Sequence, residues 1–173
     1  GAINSAGNVG APHVNATTSI QAPTINAATA LTAVAATISA NASVNHLNAT
    51  TSVQAPTINA ATSLTAVAAT ISANASVNHL NATTSVQAPT INAATSLTAV
   101  AATISANASV NHLNATTSVQ APTINAATSL TAVAATISAN ASVNHLNATT
   151  SVQAPTINAA TSLTAVAATI SAN

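Results

Sequence analysis

The sequence predicts an all-β chain wound into a β-helix, and three observations predict it. A 33-residue unit recurs without change, aliphatic and polar side chains alternate within it, and no charged or aromatic residue interrupts the pattern. An ordinary soluble domain draws about a quarter of its residues from Asp, Glu, Lys and Arg, whereas this chain of 173 residues has none. Disorder does not account for the bias. Disordered chains are depleted in Val, Ile and Leu, while here these residues recur at fixed places and the mean hydropathy is +0.48. Ser, Thr and Asn interrupt every apolar run before the ~18 residues a membrane-spanning helix needs.

The repeat sets the organisation. Residues 41–73, 74–106, 107–139 and 140–172 are identical, and residues 8–40 are an imperfect copy that differs at seven positions, among them Ile20 and Ala30. Residues 1–7 form a lead-in. One continuous shaft is expected, not a string of separate domains. Identity over four copies points to an engineered array or a very recent duplication, with the first copy nearest the original.

Within one unit, a tetrapeptide of hydroxyl, aliphatic, polar residue and Ala appears as Ser52–Ala55, Thr57–Ala60, Ser63–Ala66 and Thr70–Ala73, with weaker versions starting at Ser43 and His46. In each, the aliphatic residue and the Ala share one face, the period of a half-buried strand. A helical reading fails, because the large residues fall on two opposed sides of a wheel and Pro56 would break the helix. The expected core is Val44, Leu47, Val53, Ile58, Leu64 and Ile71. Most anchors are five to seven residues apart, which is a strand of three or four residues and a corner. Pro56, Asn41 and the Ala-Thr and Thr-Thr pairs fall where corners are needed.

Six strands per unit leave open how many chains build the shaft. Measured between large anchors, two triangular coils would be unequal, a longer one from Val53 to Ile71 and a shorter one from Ile71 to Val86. A regular solenoid prefers equal coils, so an intertwined homotrimeric β-helix is expected, with a single-chain β-solenoid as the alternative.

The phrasing of Ser52–Ala60, "SVQAPTINA", flanked by "ATT" and "TSL", resembles the Val-x-Ala-Pro-x-Ile wording in the β-helical shafts of contractile-tail phage baseplate spikes and type VI secretion spikes. The resemblance implies a homotrimeric needle that pierces a cell envelope, located in a virion baseplate or outside the cell. It also implies tail-tube or tip proteins as partners and transient contact with a membrane. Members of that family usually carry an upstream docking domain and often a His-x-His metal tip. Neither pattern is present, so the chain is expected to correspond to the shaft alone.

Chemistry is sparse. A Ser-His-Asp relay lacks its acid, no glycine-rich phosphate loop can form from Gly1, Gly7 and Gly10, and without Cys there is no thiolate metal site or disulfide. No basic or aromatic groove offers itself to nucleic acid. The expectation is therefore no enzyme and no cofactor. The sole candidate ligands are His13, His46, His79, His112 and His145, one per unit, which three chains could gather into a layer to hold a metal ion or an anion. No carboxylate or second His supports such a ligand set. Two other structural roles compete with the piercing needle, an extracellular fibre or adhesin stalk and an ice-binding solenoid. An ice face should present Thr-x-Thr on every coil, yet the outward pairs are Ser52 with Gln54, Thr57 with Asn59, Ser63 with Thr65 and Thr70 with Ser72.

Overall fold

A strand that alternates apolar and polar side chains has one face to hide, and short strands joined by corners can hide it only by turning around a common axis. The computed structural model, which describes residues 1–171, does this. It is 91% strand without a helix, a β-solenoid of about 10 turns. In chain order the strands are β1 (Ile3–Asn4), β2 (Val9–Asn15), β3 (Ser19–Ala22), β4 (Ile25–Ile38), β5 (Asn41–Ala154) and β6 (Thr156–Ile170), all in one parallel sheet. β5 runs unbroken for 114 residues because its pairing continues around the corners.

The register fixes the coil. Ile25 lies beside Ala42 and Ala36 beside Val53, whereas Ala30 lies beside His46 and Leu31 beside Leu47, a slightly shorter step along the chain. The shift between the two spacings falls at the corners. A one-residue corner at Asn45 stacks on the two-residue corner Ala61–Thr62, and the two-residue corner Thr50–Thr51 stacks on Val67. Coils 41–56 and 57–73 thus alternate, and together they make the 33-residue unit. Each strand pairs with the next coil of its own chain, which is the single-chain arrangement. The expected interweaving would have placed those partners on other chains. The unequal coils measured from Val53 to Ile71 and from Ile71 to Val86 are likewise replaced by these two nearly equal ones.

Packing explains why the unit is two coils long. Inward positions alternate in size along the axis. Ile25 stacks on Ala42, Ala27 on Val44, Ala36 on Val53, and Ala154 on Ile170. Leu stacks on Leu at one position, as Leu31 on Leu47, and Ala on Ala at its neighbour, as Ala33 on Ala49. One coil fills the prism with Val44, Leu47 and Val53, the next with Ile58, Leu64 and Ile71, and all six expected core residues are buried. A large side chain set above a small one lets successive layers interlock near interior packing density without aromatic bulk.

Burial in this fold comes from the neighbouring coil. Leu64 is 0% exposed between two coils, but Leu163, at the same place in the last described coil, is 38% exposed with no coil above it among the described residues. Val67, an aliphatic residue outside the expected core, sits on a one-residue corner and is 37% exposed. No described residue has positive φ, so the corners need no glycine, and the three glycines all lie within the first ten residues.

Corner mismatch leaves carbonyls outside the regular ladder, and a hydroxyl takes them. Thr51, Thr84 and Thr117 donate Oγ1–H to the carbonyls of Val34, Val67 and Val100 in the preceding coil, at 2.8, 2.7 and 2.7 Å. The Thr-Thr corner therefore carries a structural bond as well as a turn. Thr84→Val keeps the shape and removes the donor. It is expected to lower the unfolding free energy by about 0.5–1 kcal/mol, with Thr84→Ser closer to the parent, as read from urea titration. Equal loss in both variants would assign the effect to the side chain's shape instead of its hydroxyl.

Candidate functional site

The outward side chains of the three strands in each coil form three sets of columns along the axis, one per face, because the strands are parallel and in register. The first face carries Ser43 and Asn59 in successive coils, the second His46 with Asn48 and Ser63 with Thr65, and the third Ser52 with Gln54 and Ala68 with Thr70. Along these columns hydroxyls alternate with amides, Ala or His from coil to coil, so no face repeats Thr-x-Thr on every coil.

On the second face the five His residues form a single column. Ala30 lies beside His13 below and His46 above, and His145 lies beside Ser162, so each His is separated from the next by one coil. All five are exposed. The residue in the intervening coil is Ser in every identical unit and Ala30 in the first. His46 Nδ1 is 3.0 Å from Ser63 Oγ, His79 Nδ1 3.1 Å from Ser96 Oγ, His112 Nδ1 3.0 Å from Ser129 Oγ, and His145 Nδ1 3.0 Å from Ser162 Oγ. Each hydrogen bond holds one ring nitrogen and leaves Nε2 directed away from the Ser. Parallel coils lie about 4.8 Å apart, so successive imidazoles are about 10 Å apart along the axis. Among the described residues no three His, Cys, Asp or Glu side chains come together as a metal-binding group.

Sequence reasoning identified the His residues and missed their partners. The signal is the fixed spacing from His46 to Ser63, repeated from His79 to Ser96, which is meaningful only once the coil length is known. The first unit shows the same dependence in reverse, because Ala30 in place of Ser leaves His13 without this bond.

The remaining concavities are shallow and repeat with the unit. One kind, of about 150 Å³, is lined by Asn92, Ser109, Asn111 and Asn125 on the first face. Another, of about 290 Å³, is lined by Thr70, Gln87, Pro89 and Thr103 on the third. No titratable side chain lines either groove. Every buried side-chain polar atom among the described residues has a partner, so no orphaned group points to a ligand.

No protein-family model matches the sequence, and no curated protein or solved structure shows significant similarity to it.

Proposed function

We propose that the chain is a structural shaft, a rigid uncharged rod that holds or transmits position and does no chemistry. The observation that carries this reading is the continuous stack of interlocked layers. Bending would have to open backbone ladders on one side and part the size-matched side chains within. The alternation of Val44 with Ala60 and Ile58 with Ala42 serves stiffness and length and has no evident use at a binding site.

The setting we propose is that of the spikes the sequence resembles, a needle crossing a cell envelope, or an extension built into one. A surface without Asp, Glu, Lys or Arg suits such passage, since no ion pair and no carboxylate, ammonium or guanidinium side chain has to be desolvated on contact with lipid. The three-chain assembly implied by the resemblance belongs to this proposal in altered form. Each chain closes its own core, so three copies would pack side by side and their strands would not interweave.

Mass and length in solution test both parts. About ten coils at ~4.8 Å give a particle of roughly 50 Å, and deleting residues 74–106 is expected to shorten it by about 10 Å in small-angle scattering. An interwoven trimer would shorten by about 29 Å, because each of six strands would then climb one layer. Native sedimentation at one chain mass would remove the trimer and keep the shaft. A particle that flexes between coils, with a broad distribution of lengths, would overturn the shaft itself.

A further inference from the structure

We propose that the His column is a docking strip for a second copy of this chain, closed by divalent transition-metal ions such as Zn²⁺. Four features lead there.

The five imidazoles are the only strong ligands for such ions in the sequence, which has no Cys, Asp or Glu side chain to compete. All five are exposed in one column. Four of them are held through Nδ1 by a Ser hydroxyl at 3.0 or 3.1 Å. A ligating His characteristically donates its second ring N–H to a hydrogen-bond acceptor, which fixes the ring and the tautomer. In the tautomer that donates Nδ1–H to Ser63 Oγ, the Nε2 lone pair of His46 is the free ligand.

The fourth feature is distance. Imidazole nitrogen binds Zn²⁺ at about 2.0–2.1 Å, so two ligands of one ion sit only about 3–4 Å apart. Neighbouring imidazoles in the column are about 10 Å apart, two coil spacings, and cannot share an ion. One chain therefore offers each ion a single protein ligand, and the site is incomplete without another chain. A second copy presents the same column at the same period. Once one His–Zn–His bridge forms, the others follow at high effective concentration, so weak single contacts add up to a firm strip. With no net charge on the side chains, the copies meet without the repulsion that two basic or two acidic surfaces would feel.

The test is sedimentation velocity with ZnCl₂ at pH 7.5, with the metal-free protein as reference. We expect the mass to double, bound zinc to approach one ion per two His at the plateau, EDTA to reverse both, and MgCl₂ to have no effect. Replacing all five His by Gln touches only exposed side chains and is expected to leave the circular dichroism and the metal-free mass unchanged while abolishing the response. Ser63→Ala, Ser96→Ala, Ser129→Ala and Ser162→Ala together are expected to weaken it about tenfold, the usual size of an outer-shell effect on metal affinity. Ala30 already occupies this position in the first unit, so the replacement suits the fold. An unchanged mass in millimolar ZnCl₂, or a response that survives in the five-Gln variant, would overturn the proposal. So would one zinc per His with no change in mass.

Discussion

Deleting one coil, residues 57–73, is expected to harm the shaft more than deleting two coils, residues 74–106. The larger deletion removes a whole unit and rejoins the chain in phase, so every large inward residue keeps the neighbour it has now. The smaller deletion places coil 41–56 directly beneath coil 74–89, and like then meets like. Ala42 would lie under Ala75 and Ala55 under Ala88, with Ile58 and Ile71 no longer between them. Val44 would meet Val77 and Val53 would meet Val86, where each now meets Ala. Vacancies of Ile-to-Ala size cost roughly 2–5 kcal/mol each, and crowding adds about 1–3 kcal/mol. Partial collapse of one defect into the other reduces the sum, leaving an expected loss of at least about 4 kcal/mol at that junction. Urea denaturation of the two deletions beside the parent gives the comparison. If the one-coil deletion proves the more stable of the two, size alternation is not what sets the 33-residue period.

The same alternation explains how much of the fold was legible in the sequence. The 33-residue period, the strand-and-corner rhythm and the six large core residues follow from side-chain pattern alone, and the burial of Val44, Leu47, Val53, Ile58, Leu64 and Ile71 agrees with it. Coil length does not follow, because measuring between large residues assumes that large stacks on large. Val53 is followed along the axis by Ala69, and Ala55 by Ile71, as the equivalent pairs Val152 with Ala168 and Ala154 with Ile170 show. An estimate from Val53 to Ile71 therefore overshoots the coil, and the apparent inequality that favoured three chains disappears. Val67 lies outside that core, since a corner residue escapes the rule that aliphatic side chains point inward. The His column was half legible. Its period is in the sequence, but the Ser partners depend on a register that only the three-dimensional stack supplies.

Leu97→Asp in the middle of the stack is expected to be the most damaging single substitution. Leu97 is 0% exposed, and the register places it in a column of Leu between Leu80 and Leu113. The core holds no buried polar residue among those described, and the sequence has no Lys or Arg to pair with a carboxylate. The introduced group therefore enters the core uncharged or not at all. Losing the Leu side chain costs roughly 2–5 kcal/mol, and burying an unpaired polar group costs about the same again. Because each coil touches only its neighbours, the lesion is expected to uncouple the coils on either side, which then exchange amide hydrogen as two separate blocks. The pH dependence carries a distinct sign. Burial raises the carboxyl's pKa in the folded state above the unfolded value of about 3.9, so the folded state binds more protons and stability falls as pH rises through that interval. Relative to Leu97→Asn, which has no such group, the Asp variant is expected to be close in stability at pH 3 and clearly worse at pH 7. Equal stability of the two variants at both pH values would mean that the core opens enough at this coil to hydrate a charge, which an interlocked prism does not allow.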